Sequence, residues 1–397
     1  MKTKEMKIGI AAPLSLNTLR THLPKDLKKP LPNGTGPVVV SSLVEGLLAR
    51  GAKVSVYTLD PTVTRPTKWE GPSLSIFVGH QGRRPRIRAC SFFQREARQI
   101  IKFIHKDRPH LVNAHWSCEY GFAAAVSSHH HLISLRDHSR TIWGYHPDYY
   151  RLSRYLMDVC VRRTGRNFSV NSPHLGAQFS PWRKRLPVLP DSLSSAHVTR
   201  TPKQLPRGDI RIVSILTGWS PLKNPKPALA AMPLLRKALG RRVEYHLFGP
   251  GYAPQQPARQ WARDHGLDRD VVFHGFRPHD HLMAILPGFD LLLHPSLEES
   301  FGDTLLEAMA AGVPIVAGEN SGAVPWVLGQ GKYGMLANVR SASDLAQSME
   351  KLLSRPEFYN TFSRRGFARV LKDFSSLPVA DKYLNRYRQI LHRRTAR

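Results

Sequence analysis

The chain has 397 residues, enough for two domains of ordinary size that each bury a core of their own. A hydrophobic fraction of 41% excludes a disordered protein, and three cysteines without paired spacing argue against a disulfide framework or a zinc site. Lysine and arginine number 58 against 29 acidic residues, a formal net charge of +29. This excess implies an anionic partner, such as nucleic acid, an acidic lipid surface or a phosphorylated substrate.

The amino-terminal stretch MKTKEMKIGIAAP carries charges and only a short apolar run. That run is too short for a signal sequence, and no later segment reaches eighteen uninterrupted apolar residues. We therefore expect a cytoplasmic protein that can rest on the inner face of a membrane without crossing it.

The first half alternates strand-like and helical patterns. Residues 7–13 (KIGIAAP) predict a strand, and residues 33–60 predict a turn, a helix and a second strand. A helical period then runs from Phe93 to Ile104, followed by a strand in HLVNAHW. This alternation is typical of βαβ units in a doubly wound parallel sheet.

A second series of the same kind begins at residues 209–216 (DIRIVSIL). It continues through the apolar runs VEYHLFG, VVFHG, DLLLHPS and VPIVAG, with helical patterns between them. Residues 185–209 are rich in proline and serine and show little periodicity, so we expect the hinge there. The chain is thus predicted to form two similar α/β domains.

Two glutamates stand out in residues 294–316, HPSLEESFGDTLLEAMAAGVPIV. Glu299 lies in the loop after a buried strand, and Thr304 with Glu307 has the spacing of a capping box, so Thr304 is the predicted N-cap. Ligands of open α/β sheets bind beyond the carboxyl ends of the strands, where both carboxylates are expected. Alternatively, Glu307 only caps its helix and Glu299 is a solvated loop charge.

Lys223 follows the first strand of the second series, just before an Asn224-Pro225 helix start. There its charge can stabilise a diphosphate leaving group, although an ordinary surface lysine is common in so basic a chain. His115 similarly follows a strand in the first half, where a histidine is either functional or simply packed. The triplet at residues 129–131 (HHH) is interpreted as a loop feature, because adjacent histidines do not face one ion in regular structure.

The pattern Glu-x7-Glu with Phe-Gly between the glutamates, preceded by HPS and followed by EAMAAGVPIVA and SGAVPWV, resembles the donor segment of the retaining glycosyltransferase family 4 (group 1) enzymes. Weaker similarity extends over most of the chain, in the stretches at 33–58, 109–116, 213–225, 271–276 and 373–391. The resemblance implies an α/β GT-B fold, with two Rossmann-like doubly wound domains facing each other across a cleft. It implies an acceptor-side domain over 1–195, a nucleotide-sugar domain over 205–375, and a terminal helix over 376–397 that returns to the first domain.

Carried over by position, the resemblance implies a role for each of three sets of residues. The catalytic residues are expected to be His115, Glu299 and Lys223. Donor binding is expected at Glu307, Ser300, Phe301, Gly302, Asp303, Thr304, Gly218 and Arg277. Residues on the cleft or acceptor side are expected to be Gly34, Thr35, Gly36, Arg136, Asp137 and His138. The chain departs from the family at Trp219, where an arginine is usual, so leaving-group stabilisation is expected from Lys223 alone or from an arginine elsewhere, such as Arg277.

The expected function is retaining transfer of a sugar from a nucleoside-diphosphate sugar to a glycan or lipid-linked acceptor, as in cell-surface polysaccharide or lipopolysaccharide synthesis. We expect no cofactor and no metal. Basic runs at 82–108, 162–166 and 182–185 favour an anionic membrane surface as a partner. The alternatives are a nucleotide-sugar epimerase on the same fold and a nucleic-acid-binding protein, although no nucleic-acid-binding signature accompanies the charge.

Overall fold

The computed structural model describes residues 3–27, 29–194 and 201–392. The chain forms two compact units: unit 1 comprises residues 1–195 and 375–397, and unit 2 comprises residues 196–374. Part of the predicted hinge, residues 195–200, lies outside the described residues.

Unit 1 is built on a sheet that has seven strands within the described residues. The strands are β1 (Lys7–Ala11), β2 (Lys53–Asp60), β3 (Thr67–Glu70), β4 (Leu74–His80), β5 (Leu111–His115), β6 (His131–Leu135) and β7 (Phe168–Val170). Their order is β3-β4-β2-β1-β5-β6-β7, and only the pairing of β3 with β4 is antiparallel. The helices are α1 (Val38–Ala49), α2 (Pro85–Cys90), α3 (Gln94–Asp107), α4 (Glu119–Val126), α5 (Ser139–Tyr145), α6 (Tyr149–Thr164), α7 (Pro173–Gln178) and the carboxyl-terminal α15 (Ser376–His392).

The predicted second helix of unit 1 begins one residue later than its apolar period indicated. Phe92 and Phe93 have φ angles of 46° and 55°, in the left-handed region, so the chain turns between α2 and α3 before α3 begins at Gln94. Phe93 is buried by this turn, while Phe92 remains 39% exposed. Apolar periodicity does not reveal such a backbone turn, because the buried ring still falls in phase with the helix.

Helix α15 packs on α1 in unit 1. The approach is close because Gly46 of α1 has no side chain: a Cβ there would lie 2.3 Å from the carbonyl oxygen of Ser376. Arg50 donates two hydrogen bonds to the carboxylate of Asp381, at 2.7 and 2.6 Å. Farther along α15, the buried Tyr387 hydroxyl donates to Asn113 Oδ1 at 2.7 Å. The terminal helix is therefore an integral part of the unit 1 core.

Unit 2 is built on a parallel sheet, with six strands in the part of the chain that the structure describes. The strands are β8 (Ile210–Ile215), β9 (Val243–Phe248), β10 (Val271–Gly275), β11 (Leu291–His294), β12 (Ile315–Gly318) and β13 (Met335–Ala337), in the order β10-β9-β8-β11-β12-β13. The helices are α8 (Pro225–Leu239), α9 (Pro257–Asp264), α10 (His279–Ile285), α11 (Asp303–Ala310), α12 (Val324–Val327), α13 (Ala342–Leu353) and α14 (Pro356–Arg369). The strand order reverses between β8 and β11, and loops at such a switch point bind ligands in doubly wound sheets.

Candidate active site

Three side chains meet at the carboxyl edge of the unit 2 sheet, at the end of β11 and in the loops after β8 and β11. Lys223 Nζ donates to Glu299 Oε1 at 2.6 Å, and His294 Nε2 lies 3.2 Å from the same oxygen. The Lys223 and Glu299 side chains are 17% and 16% exposed. Both had been predicted to lie at this edge, and the structure joins them in one ion pair. His294 was not among the predicted site residues, although it begins the HPS stretch that precedes the two glutamates.

The electrostatics of this cluster keep Glu299 ionised. Burial raises the pKa of the Glu299 carboxyl, but the charge of Lys223 and the hydrogen bond from His294 outweigh it and hold the pKa well below its ordinary value. The backbone of Glu299 is also fixed, since its carbonyl accepts from Ala323 N at 2.8 Å. A Cβ at the adjacent Gly322 would lie 2.4 Å from that carbonyl oxygen, so this contact requires glycine. The site thus presents a permanent, well-positioned anion.

The loop that carries Lys223 is tied to the loop after β11. Residues Pro221–Lys223 form a short 3-10 helix, and α8 begins at Pro225 as predicted. Asn224 precedes it but makes no capping hydrogen bond; its side chain instead donates to the carbonyls of Pro295 and Val339, at 3.1 and 2.8 Å. These bonds hold the lysine loop beside the glutamate loop, which explains the short Lys223–Glu299 distance.

The predicted capping box at Thr304 and Glu307 is wrong. Helix α11 begins at Asp303, and its N-cap is Gly302, whose φ of 95° favours glycine and whose position has no side-chain cap. Glu307 therefore lies beyond the first turn, where it pairs with the α10 residue His279: Glu307 Oε1 and His279 Nε2 are 2.8 Å apart. Sequence reasoning missed His279 because 28 residues and a strand separate it from Glu307.

The His279–Glu307 pair is mostly buried, with side chains 27% and 12% exposed. Burial lowers the pKa of His279, but the hydrogen bond and charge of Glu307, together with Asp280, reverse this and raise the pKa above the ordinary value. His279 is consequently a better hydrogen-bond donor near neutral pH, and it orients the Glu307 carboxylate. Both groups lie at the same edge of the sheet as Glu299, on α10 and α11.

The remaining predicted donor residues frame this edge. Phe301 is buried, and its ring packs edge-on against Trp326 and Phe374, so its contribution to a ligand can only come from the backbone. Ser300, Gly302, Asp303 and Thr304 continue the same loop into α11.

Gly218 and Arg277 lie on two other loops of unit 2. Gly218 has a φ of 98°, and its carbonyl accepts from Tyr252 Oη at 3.3 Å. Arg277 is exposed, and its Nη1 donates to the Phe276 carbonyl at 3.0 Å. It is therefore a cation held loosely on the loop after β10.

Trp219 stands where the resemblance implies an arginine, and the structure shows what surrounds its side chain. Its ring contacts Tyr252 and Trp261, with ring centroids 5.9 and 5.8 Å apart. The indole thus belongs to an aromatic cluster next to the lysine loop and supplies no charge. Lys223 is the basic residue that this loop retains.

In unit 1, His115 ends β5 and is fully buried. Arg136 Nε donates to His115 Nδ1 at 2.9 Å, which assigns the remaining ring proton to Nε2. Burial and the nearby Arg136 hold the pKa of His115 well below its ordinary value, so the ring is neutral. Among the residues that the structure describes, its Nε2 has no hydrogen-bond partner. A buried donor without a partner is costly, which favours a functional role over simple packing.

The other residues predicted on the acceptor side, Arg136, Asp137 and His138, have different partners in the structure. Arg136 is buried in an ion pair with Asp191, so it orients His115 and does not lie on an open surface. Asp137 lies 3.7 Å from Arg154, and burial raises its pKa despite that charge. His138 precedes α5 and bonds to Thr141 Oγ1 at 2.7 Å through Nδ1.

The glycine loop of unit 1 approaches its own chain closely. A Cβ at Gly34 would lie 2.1 Å from the Leu14 carbonyl oxygen, and one at Gly36 would lie 2.1 Å from the Pro13 carbonyl carbon. Thr35 Oγ1 donates to the Leu59 carbonyl at 3.4 Å. Both glycines are therefore explained by close packing against the backbone of the segment that follows β1. The sequence had instead suggested that they allow the backbone to approach a ligand.

Within the described residues, no group of three or more histidine, cysteine, aspartate or glutamate side chains is placed to hold a metal ion. In the same part of the chain, no helix combines the length and the apolar character needed to cross a bilayer.

Comparison with known proteins connects these observations to a family. Residues 200–369 match the family described as Glycosyl transferases group 1. A 2-deoxystreptamine glucosyltransferase of Streptomyces kanamyceticus is 28% identical over 238 residues, 57% of this chain and 59% of that protein. A D-inositol 3-phosphate glycosyltransferase of Corynebacterium aurimucosum is 40% identical over 92 residues, 23% of this chain and 22% of that protein. The chain thus aligns with between about a fifth and three fifths of the length of these curated relatives.

Solved structures match over nearly the whole chain. Sucrose-phosphate synthase from Thermosynechococcus elongatus superposes with a TM-score of 0.76 at 18% identity, covering 98% of this chain and 100% of that one. HepE from Anabaena, solved in complex with UDP-glucose, superposes with a TM-score of 0.67 at 16% identity, covering 97% and 100%. At these identities the likeness concerns the fold, and it confirms the predicted GT-B class with its two parallel-sheet domains.

Proposed function

We propose a sugar-transfer reaction for this chain, whose residues 200–369 match the group 1 glycosyltransferase family. In this proposal a sugar moves from a nucleoside-diphosphate sugar to a glycan or lipid-linked glycan, with retention of configuration and without a metal ion. The observation that carries it is the cluster of Glu299, Lys223 and His294, which holds an ionised carboxylate and two nitrogen donors at the ligand-binding edge of unit 2.

Donor binding is assigned to Glu307 and to the loop that leads into α11. A carboxylate accepts hydrogen bonds from a pair of ribose hydroxyls, and His279 would orient that of Glu307 for this purpose. Backbone N–H groups at the start of α11 can bind phosphate or sugar oxygens. The UDP-glucose complex of HepE supports a nucleotide-sugar donor for this fold.

The chemistry is assigned to Glu299 and Lys223. An anion near the anomeric carbon stabilises the positive charge of an oxocarbenium-like transition state, and Glu299 is held ionised for that role. Lys223 donates one of its three ammonium protons to Glu299, so the other two can donate to diphosphate oxygens as the leaving group departs. In unit 1, the Nε2–H of His115 is the donor left for a sugar hydroxyl.

The acceptor is proposed to be anionic or to lie at an anionic membrane surface. Unit 1 exposes Arg83, Arg84 and Arg86 beside Ile87 and Phe92, which are 59% and 39% exposed. Cations around exposed apolar side chains suit an acidic leaflet, where each basic residue contributes about 1 kcal/mol. A phosphorylated acceptor uses the same charge, and one curated relative is named for inositol 3-phosphate.

The donor half is tested by calorimetric titration of the full chain with UDP, GDP and ADP. One of them should bind, and the corresponding sugar nucleotide should support transfer that persists in EDTA and yields the retained anomer. Glu299→Gln should keep nucleotide binding and lose transfer, whereas the exposed Glu319→Gln, after β12, should keep both. If the chain instead isomerises the sugar nucleotide in the absence of any acceptor, its activity is epimerisation and not transfer.

The membrane half is tested by sedimentation with liposomes. Binding should be strong with acidic lipids, weak with neutral lipids, and reduced by salt through screening. Ile87→Ser should weaken it more than Leu234→Ser, which changes an equally aliphatic exposed side chain in unit 2. Equal recovery in the supernatant with acidic and neutral lipids at low salt would rule out a membrane surface.

A further inference from the structure

Unit 1 contains an open pocket of about 670 Å³ beside the carboxyl end of β4, and His115 does not line it. We call it the arginine pocket. The residues of its lining that bear on its chemistry are His80, Arg83, Arg84, Arg88, Arg95 and Glu96. They come from the end of β4, from the segment through α2, and from the first turn of α3. Ligands of doubly wound sheets bind at this edge.

The pocket has an excess of positive charge. Arg83, Arg84 and Arg95 are exposed, and within the described residues none of them forms an ion pair with a carboxylate. Arg88 is more enclosed: its Nη1 lies 3.6 Å from Glu119 Oε1, and its Nε is buried without a hydrogen-bond partner. Guanidinium groups are the preferred partners of phosphate, because their paired N–H groups match two of its oxygens.

A second, independent observation comes from Glu96 at the base of the pocket. This side chain is only 4% exposed. Its Oε1 accepts a long hydrogen bond of 3.5 Å from Gly82 N, and its Oε2 has no partner in the described part of the chain. A buried carboxylate oxygen without a donor costs free energy, and a ligand hydroxyl would remove that cost. A carboxylate repels phosphate, so Glu96 must face a different part of the ligand.

The wall of the pocket is rigid. Gln99 of α3 bonds both backbone groups of His80: His80 N donates to Gln99 Oε1 at 2.9 Å, and Gln99 Nε2 donates to the His80 carbonyl at 2.9 Å. Gly79 permits this approach, since a Cβ there would lie 2.8 Å from Gln99 Oε1. A fixed wall lowers the conformational cost of binding a small ligand.

We propose that the arginine pocket binds a phosphorylated polyol, the arginines holding the phosphate and Glu96 accepting a hydroxyl. The inference deepens the proposed function, on which it rests for the statement that this polyol is part of the sugar acceptor. The phosphate belongs either to a soluble sugar phosphate or to a lipid headgroup, since both present the same group to the arginines.

The test uses the full chain and calorimetric titration with glucose 6-phosphate, glucose and inorganic phosphate. Glucose 6-phosphate should bind more tightly than either of the others. The double variant Arg84→Ala, Arg95→Ala should lower its affinity by about tenfold or more, the scale of a lost charge-assisted hydrogen bond. The control Arg20→Ala, Arg98→Ala removes two exposed arginines of unit 1 that do not line the pocket, and it should change the affinity less than about twofold.

Glu96→Ala separates the two halves of the pocket. It should weaken glucose 6-phosphate binding yet leave inorganic phosphate binding unchanged or tighter, because a hydroxyl acceptor and a repelling charge are removed together. A purely electrostatic patch would instead bind both probes more tightly. Tighter binding of both probes by Glu96→Ala would overturn the proposal. So would equal binding of glucose and glucose 6-phosphate by the wild type, or equal losses of affinity in the two arginine double variants.

Vesicles identify the source of the phosphate. Phosphatidic acid vesicles, compared with phosphatidylcholine vesicles, should bind in a way that depends on Arg84 and Arg95 if the group belongs to a lipid. If the soluble probe alone depends on these arginines, the ligand is a sugar phosphate. If neither probe depends on them, the pocket assignment is wrong.

Nucleoside diphosphate binding, measured in the same variants, separates this inference from the proposed function. Both arginine double variants should keep it, because the donor residues belong to unit 2. A wild-type chain that binds glucose 6-phosphate but no nucleoside diphosphate would overturn the transferase proposal and leave the pocket standing.

Discussion

Replacing Lys223 by alanine removes the basic partner of Glu299 and is the most informative perturbation of the site. The ion pair spans 2.6 Å between side chains that are about one-sixth exposed. Breaking a fully buried pair costs about 3–5 kcal/mol, and a hydrogen bond to a charged group contributes about 1.5–3 kcal/mol. Because water reaches this pair and His294 remains at 3.2 Å, we expect the free energy of unfolding of unit 2 to fall by about 2 kcal/mol.

The effect of Lys223→Ala on catalysis should exceed its effect on stability. Loss of one preorganised electrostatic donor lowers turnover by about 10²- to 10³-fold, and Trp219 supplies no second charge on this loop. Nucleoside diphosphate affinity should fall far less than turnover if Lys223 acts mainly on charge that develops as the bond breaks. The assay is transfer from the sugar nucleotide identified by the binding screen, with urea unfolding measured in parallel.

Lys226→Ala is the matched control, because this lysine is three residues away and lies over the Trp261 ring at 5.2 Å. Its turnover should stay close to that of the wild type. The stability difference caused by Lys223→Ala also has a defined pH dependence. Since the pKa of Glu299 is lowered in the folded state, the stabilisation is complete above about pH 4.5 and is lost as the pH falls toward the folded pKa. Equal turnover in both lysine variants, or activity abolished by EDTA and restored by magnesium, would refute the reasoning.

Three further predictions concern single positions. Glu307→Gln should weaken nucleoside diphosphate binding by about 1–3 kcal/mol in calorimetry, and an unchanged dissociation constant would reduce Glu307 to a structural partner of His279. The pKa of His279 is raised in the folded state, so the stability advantage of the wild type over His279→Gln should be complete below pH 6.5 and should decline as the pH rises through the folded pKa. Urea unfolding between pH 5 and 9 measures this difference in stability. A difference that does not change with pH would contradict the pairing of His279 with Glu307. Gly36→Ala should destabilise unit 1 by about 1–3 kcal/mol, because the added Cβ would lie 2.1 Å from the carbonyl carbon of Pro13. Gly144→Ala is the control, since a Cβ there meets no atom within 4 Å and should not change the stability. Similar urea midpoints for the two variants would disprove the packing argument.

Much of the architecture could be predicted from the sequence because strands and helices leave local patterns. The apolar runs that became β1, β5, β8 and β11 were identified as strands, and their alternation with helices predicted two parallel sheets. A parallel sheet sends its carboxyl ends to one edge, so the loops that carry Lys223 and Glu299 could be placed at that edge without coordinates. The Glu-x7-Glu pattern then indicated a resemblance to the same family whose description residues 200–369 match.

The partners of these side chains could not be predicted, because each contact joins loops that are distant in the chain. Lys223 and Glu299 are 76 residues apart, and Arg136 meets His115 across 21 residues and a neighbouring strand. Loop backbone geometry and side-chain rotamers determine whether such groups bond to each other or to a ligand, and neither leaves a periodic signal in the sequence.

Local rules also failed where tertiary contacts override propensity. Thr304 has the capping-box spacing, yet Gly302 takes the N-cap position because a left-handed φ of 95° turns the loop into α11 and leaves Glu307 to pair with His279. Gly36 is required by the backbone of Pro13, which a sequence pattern does not show to be close.

The sequence by itself therefore determined the order of the elements and the edge that carries the chemistry, since hydrophobic periodicity and parallel-strand topology are properties of local segments. Only the tertiary structure decided which charges are paired and which buried polar atoms remain for a ligand, because those depend on distances between segments that the chain brings together only on folding.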